Sequence, residues 1–154
     1  MKHGDLNEGI STFNSISSNN LLVSKTLIGN EPHLGYTNLL NINFVSLLNL
    51  NKEGLVGFLG LCWSNDNETI YFSSLGDNVA GLYELNTNTQ SKKRLIKFCS
   101  SKYYDQISCS ADGTKLIGER VNLNLNPTPD GEPTGEIQQK SSIYLIDLNT
   151  LTET

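Results

Sequence analysis

Few residues in this 154-residue sequence have the types and spacing that catalysis or metal binding requires. There are two histidines, His3 near the N-terminus and His33 directly after Pro32. A zinc-type site needs three or four clustered ligands, and here only scattered carboxylates accompany the histidines. We therefore predict no metal site, no cofactor and no catalytic residue, and we expect both histidines to lie exposed in loops.

The three cysteines, Cys62, Cys99 and Cys109, offer little redox or metal chemistry. Their number is odd, and no two have the C-x-x-C spacing of a zinc site or redox motif. Each stands among apolar or strand-like neighbours, which favours buried structural thiols. A Cys99–Cys109 disulfide in an oxidising compartment is the alternative.

Two groups of acidic residues could act chemically. The run Asn65–Glu68 offers alternating oxygen ligands of the kind calcium prefers, but it lacks the glycine and the spaced bidentate Glu of an EF-hand. Asp130, Glu132 and Glu136 could supply a glycosidase pair, yet a segment rich in proline and glycine holds carboxylates poorly. We predict that the first group forms a turn and that the second is solvated charge.

Other catalytic and partner classes are disfavoured by motif and charge. The chain has no G-x-S-x-G elbow and no G-K-[ST] phosphate loop. It has 11 Lys+Arg against 16 Asp+Glu, a net charge of −5, whereas nucleic-acid binding needs a basic surplus. Lys92-Lys93-Arg94 is a short basic cluster that we expect at an exposed strand edge.

The best candidate binding feature is the run Tyr103-Tyr104-Asp105. Exposed aromatic side chains beside a carboxylate suit a peptide or a sugar. We take Tyr103, Tyr104, Asp105 and the loop residue His33 as the candidate ligand-binding residues. The alternative is that one tyrosine belongs to the core and the other to the rim.

A repeat positions these residues. Cys62–Ser74 and Ser108–Gly118 each read as a strand that ends at a Ser, a turn of Asn, Asp or Gly, and a second strand. A third strand follows in both copies, since Leu82–Thr89 aligns without gaps on Ile143–Thr150. Lys93–Phe98 then alternates charged and apolar residues, as a fourth strand would. The unit is four short antiparallel strands.

A degenerate first copy lies upstream. Asn14–Ser24 reads as its hairpin, Val45–Lys52 as its third strand and Leu55–Leu59 as its fourth. Two segments interrupt the pattern, Ile28–Thr37 in this copy and Asn122–Lys140 in the last. Because three of the four prolines fall in the second insertion, we expect it to be a loop rather than a strand.

The sequence therefore predicts a single all-β domain over residues 1–154, of about three four-stranded antiparallel β-propeller blades. The blades cover about residues 10–60, 61–99 and 104–154, with the loop insertion 122–140 in the last. The repeat resembles the TolB-type (PD40, WD40-like) β-propeller repeat. The resemblance is carried by Trp63-Ser64-Asn65-Asp66, by Ser110–Leu116, and by Ile143-Tyr144 with Asp147 and Thr150. The chain departs from that pattern at Asn65, Ala111 and Asn86, which are turn positions.

The resemblance implies a non-catalytic binding or scaffold module that uses propeller rim loops to bind a protein or small ligand, as in periplasmic scaffolds or sensory domains. Because propellers close with more than three blades, the two outer sheet faces would be exposed and would bind a protein partner or a second copy. The fainter similarity to oligogalacturonate lyases, and to propeller-bearing peptidases, offers an alternative. The chain would then be a fragment of an enzyme whose catalytic residues lie elsewhere.

The sequence does not indicate a compartment. Residues 1–8 are polar and lack the apolar core of a signal peptide, and no stretch reaches the length of a membrane helix. We expect no membrane insertion by this segment and no nucleic-acid partner. The location is periplasmic or extracytoplasmic if a leader has been removed, and otherwise cytoplasmic.

Overall fold

The computed structural model describes residues 19, 21–55, 57–76, 78–99, 102–127 and 133–154. These residues form strands and turns, in agreement with the predicted all-β fold. The strands are β1 (Leu21–Ile28), β2 (Glu31–Asn38), β3 (Asn43–Asn49), β4 (Gly57–Trp63), β5 (Thr69–Leu75), β6 (Gly81–Asn86), β7 (Lys92–Lys97), β8 (Lys102–Cys109), β9 (Lys115–Pro127), β10 (Pro133–Asp147) and β11 (Thr152–Glu153).

The strands form three antiparallel sheets, each made of consecutive strands. The first sheet has the order β1-β2-β3, the second β4-β5-β6-β7, and the third β11-β10-β9-β8. This is the meander of propeller blades, and in the first sheet three strands lie within the described residues. The expectation of antiparallel blades is confirmed.

The turn residues of the repeat close the hairpins as predicted. The carboxylate of Asp112 accepts hydrogen bonds from the Ser110 hydroxyl at 2.6 Å and from the Thr114 amide at 3.1 Å. Asn86 stands where the repeat pattern has Asp, and its side-chain oxygen accepts the Thr89 amide at 2.8 Å. Asp147 accepts the Thr150 amide at 3.0 Å in the same way. The departure at Asn86 therefore leaves the turn intact.

The second sheet is the centre of the fold because it is buried on both faces. Strand β5 is buried at every position from Ile70 to Ser74, including the polar Ser73 and Ser74, rather than at alternate positions only. One face packs on the first sheet. The other face packs on the third sheet, and the side chains buried there form what we call the second interface cluster. Its buried members are Cys62, Tyr71, Leu82, Tyr104, Ile107, Leu116 and Ile146.

The predicted strand assignment within the first copy is wrong in two places. The segment Ile28–Thr37, expected as an insertion, forms the end of β1 and most of β2, paired from Leu21↔Asn38 to Ile28↔Glu31. Gly29 and Asn30 both have positive φ, and such residues close a tight two-residue hairpin. Pro32 is tolerated close to this strand end. The predicted hairpin Asn14–Ser24 lies largely outside the described residues.

The segment Leu55–Leu59, expected as the fourth strand of the first copy, contributes residues 57–59 to the second sheet instead. They begin strand β4, which pairs with β5 from Gly57↔Leu75 to Trp63↔Ile70. Gly60 has a φ of +52° at a register shift, so the strand continues through a bulge rather than ending there.

The interpretation of residues 122–140 as a loop rather than a strand is also wrong for 122–127 and 133–140, and residues 128–132 lie outside the described part of the chain. Residues 122–127 continue β9 and residues 133–140 begin β10, with the pairs Ile137↔Leu125 and Lys140↔Asn122. The prolines Pro127 and Pro133 stand at the strand ends, where a missing amide costs no ladder hydrogen bond. This β9–β10 hairpin extends past Lys102, the first residue of β8, which pairs with Asn122.

Candidate functional site

An open groove lies on the outer face of the third sheet. Its volume is about 610 Å³. The side chains that line it are aliphatic, hydroxyl, amide or acidic, and none is basic. The lining residues are Gln106, Ile107, Ser108, Ile117, Gly118, Glu119, Ser141, Ser142 and Ile143.

Strand alternation brings the side chains of alternate lining residues together on the outer face. Tyr104 and Ile107 point towards the second sheet and are buried in the second interface cluster. Tyr103, Gln106 and Ser108 therefore fall on the opposite, outer face. The register shift between Tyr104 and Gln106 makes Asp105 the bulged residue. A bulge re-aims the side chain at that position, and Asp105 is exposed.

Tyr103 and Asp105 share their surroundings with a second carboxylate, Glu119. Burial raises the pKa of the Tyr103 hydroxyl, and the negative charges of Asp105 and Glu119 raise it further. The hydroxyl is therefore a neutral donor near two acceptors at neutral pH. Glu119 is not among the residues expected from the sequence, although the two-residue period of β9 places it on the same face as Ile117.

Tyr104 is part of the core. Its side chain is fully buried, and its hydroxyl donates to Glu153 Oε1 at 2.6 Å. Burial, together with that carboxylate, raises the pKa of Tyr104 far above its ordinary range. Arg120 forms an ion pair with Glu153 and stacks on Tyr144 with its guanidinium carbon 3.7 Å from the ring centre. The alternative considered from the sequence, in which one of the two tyrosines belongs to the core, therefore applies to Tyr104.

His33 lies in a different sheet from the tyrosines. It is a half-buried residue of β2 and not an exposed loop residue as expected. Its Nδ1 lies 2.7 Å from the Ser46 hydroxyl, and its Nε2 lies 3.3 Å from the side-chain amide nitrogen (Nδ2) of Asn49. These neighbours on β3 satisfy both ring nitrogens. The structure therefore brings Tyr103 and Asp105 together and leaves His33 apart from them.

The cysteines differ from the prediction of three buried thiols. Cys62 is buried and Cys109 is half-buried, whereas Cys99 is exposed in the connection after β7. All three are outside disulfides, including the Cys99–Cys109 pair considered from the sequence.

In the repeat, the outer face of the third sheet is equivalent to the face of the second sheet that packs on the third sheet. The alignment of the two repeat copies makes Cys62, Tyr71 and Leu82 equivalent to Ser108, Ile117 and Ile143. The first three are buried between the second and third sheets. On the third sheet, Ile117 is 49% exposed and Ile143 is 74% exposed. The groove therefore lies on a face equivalent to one that packs on a neighbouring sheet. Within the described residues, no sheet covers it.

Within the residues that the structure describes, no three His, Cys, Asp or Glu side chains cluster in a way that could hold a metal ion. Within them, too, there is no helix long and apolar enough to cross a bilayer.

Comparison with known proteins finds likeness in structure only. No protein-family model and no curated protein matches the chain. An oligogalacturonate lyase in complex with manganese is 15% identical over 91% of this chain and 37% of its own, with a TM-score of 0.61. TolB from Acinetobacter baumannii is 13% identical over 94% of this chain and 42% of its own, with a TM-score of 0.55. An acylaminoacyl peptidase from Pyrococcus horikoshii is 15% identical over 94% and 24%, with a TM-score of 0.53.

These matches establish the fold. The chain has the TolB-type β-propeller architecture, and it spans less than half the length of the propeller proteins that it resembles. At these identities the likeness carries no activity, substrate or partner to this chain.

Proposed function

We propose that this chain is a non-catalytic binding module of a propeller ring, in which the outer face of the third sheet binds a further blade from a second copy. The observation that carries the proposal is the equivalence of Ile117 and Ile143 to the buried Tyr71 and Leu82. A sheet face with the pattern of an interface and large exposed aliphatic side chains is typical of an association surface.

The first sheet would provide the partner surface. Strand alternation places Ile28, which is 45% exposed, on its outer face, opposite the buried Val23. Two copies that each place the first sheet on the partner's third sheet would form a closed two-fold ring, which leaves no sheet face open. Six blades fall within the range of known propellers.

The experiment is absolute mass by light scattering after size exclusion, over a series of protein concentrations. We expect a species of twice 17.0 kDa, and we expect Ile143→Lys to return it to 17.0 kDa. Leu40→Lys is the matched control, because Leu40 is 79% exposed in the turn between β2 and β3. A soluble wild-type monomer at every concentration would overturn self-association.

For the ligand we propose the rim at the start of β8, where Tyr103 and Asp105 lie beside Glu119. Asp105 and Glu119 make the surroundings of Tyr103 acidic, and no basic residue lines the groove that Glu119 borders, which favours a cationic ligand such as a basic peptide over an acidic sugar. Titration with an arginine-containing hexapeptide should shift the amide NMR signals of residues near Tyr103, and Glu119→Gln should weaken binding. Equal shifts with a trigalacturonate would contradict this choice of ligand.

The second candidate is a fragment of a propeller enzyme with its catalytic residues outside this chain. It is favoured by the likeness to the lyase, which has a higher TM-score than that to TolB. Stoichiometric manganese or calcium in the purified protein, measured by mass spectrometry of the metal, would support the enzyme fragment over the binding module. A metal-free protein that dimerises would support the module.

A further inference from the structure

Two thiols from different sheets meet at the interface between the second and third sheets. Cys62 lies near the end of β4 and is buried in the second interface cluster, and Cys109 ends β8 and packs against that cluster. The two side chains are close enough that each shifts the pKa of the other. They are 47 residues apart in sequence, so only the packing of the sheets joins them.

Hydrogen bonds on both sides of the thiols hold the second and third sheets together. After the cysteines, the side-chain amide of Asn65 donates to the carbonyl oxygen of Ser110 at 3.2 Å and to that of Ala111. Before Cys109, the amide of Tyr104 donates to the buried Ser73 hydroxyl at 2.9 Å. The proximity of the thiols is therefore built into the interface.

The two thiols have different acidities. Cys62 is 3% exposed, and its hydrogen bond to Cys109, together with burial, raises its pKa. The hydrogen bond from Cys62 lowers the pKa of Cys109, and so does the Asn65 backbone amide, against the opposing effects of burial and of Asp66 and Asp112. Cys109 is also the more exposed of the two. A more acidic, accessible thiol beside a buried one is the arrangement in which the first attacks and the second resolves.

We propose that Cys62 and Cys109 form a disulfide across this interface when the protein meets a peroxide. The Cys109 thiolate attacks one oxygen of hydrogen peroxide, the O–O bond breaks, and a sulfenic acid and hydroxide form. The Cys62 thiolate then attacks the sulfenic sulfur and expels a second hydroxide. The two thiol protons convert both hydroxides to water, so two thiols and one peroxide give one disulfide and two waters.

The consequence is a covalent link between two blades that otherwise rest on packing and a few hydrogen bonds. The disulfide would close a loop of nearly fifty residues and reduce the entropy of the unfolded chain. Oxidation should therefore raise the midpoint of thermal unfolding, and reduction should reverse the change.

The test uses the full-length Cys99→Ser variant treated with stoichiometric hydrogen peroxide. We expect its intact mass to fall by two hydrogen atoms and a non-reduced digest to contain a peptide pair joining Cys62 and Cys109. Dithiothreitol should restore both the mass and the unfolding midpoint. Cys62→Ser should give no disulfide and should leave a sulfenic acid at Cys109 that a dimedone probe traps.

Three outcomes would overturn the proposal. The first is that Cys62 and Cys109 stay reduced in the Cys99→Ser protein, or are oxidised without forming a disulfide, while Cys99 is oxidised in the wild-type protein. The second is a wild-type disulfide that includes Cys99. The third is a disulfide that forms only after denaturation, which would show that the folded interface does not bring the sulfurs together.

Discussion

The ring of Tyr104 lies directly over Gly118, on the neighbouring strand of the third sheet. A Cβ atom at Gly118 would stand 2.6 Å from Tyr104 Cδ1, closer than any ordinary contact. Tyr104 is fully buried and its hydroxyl is bound to Glu153, so the ring has no room to move away. The absence of a side chain at Gly118 is what lets the tyrosine enter the interface between the second and third sheets.

Gly118→Ala should therefore destabilise the protein by about 2 kcal/mol, the usual cost of overpacking a core. Urea unfolding followed by fluorescence measures the change. Gly113→Ala is the matched control, because its Cβ would meet nothing within 4 Å and its cost comes only from a φ of +70°. A Gly118→Ala protein as stable as wild type would contradict the close packing of Tyr104.

Asn65 is expected to hold the turns of the second and third sheets together. Asn65→Ala removes hydrogen bonds to Ser110 and Ala111 and should cost about 1 kcal/mol. Asn65→Asp should cost more, since a carboxylate would face two carbonyl oxygens. Asn88→Ala, at an exposed position in another turn, serves as the control and should change little.

The turn between β2 and β3 contains a residue poorly suited to its backbone. Ile42 has a φ of +54° and is 81% exposed, so it bears the strain of a left-handed conformation without any gain from burial. Ile42→Asn should raise the free energy of unfolding by about 1 kcal/mol, because Asn tolerates this region. Ile42→Val keeps the β-branch and should give no gain in the same denaturation experiment.

The turn carboxylates predict an acid-sensitive fold. Hydrogen bonds from Ser110 and Thr114 lower the pKa of Asp112 from 3.8 to about 2. Since the folded-state pKa is the lower one, the stabilisation is complete above about pH 4 and is lost as the pH falls towards 2. Unfolding measured between pH 6 and 2 should show a smaller acid loss in Asp112→Asn than in wild type. Identical profiles would contradict this role of Asp112.

The sequence alone predicted the blades wherever local chemistry decides the structure. The turns at Asp112 and Asn86, and the alignment of Leu82–Thr89 on Ile143–Thr150, depend on hydrogen bonds between residues close in the chain. Such signals are visible in residue types and spacing, so the all-β repeat architecture followed from them.

The assignments that failed have two causes. Strand β4 begins before its predicted position because Gly60 allows a bulge that packs against the backbone of Tyr104, a partner distant in sequence. The β1–β2 and β9–β10 hairpins were missed because neighbouring strands pair although prolines stand near the strand ends, where a missing amide costs no ladder hydrogen bond.

The candidate site shows the same division between sequence and structure. The sequence singled out Tyr103 and Asp105 by type, but only tertiary structure placed Glu119 beside them, buried Tyr104 and moved His33 to another sheet. The contact of Cys62 with Cys109 likewise exists only because two sheets pack face to face. The sequence pattern indicates which face of a strand a side chain occupies, whereas tertiary packing decides which residues that face contacts.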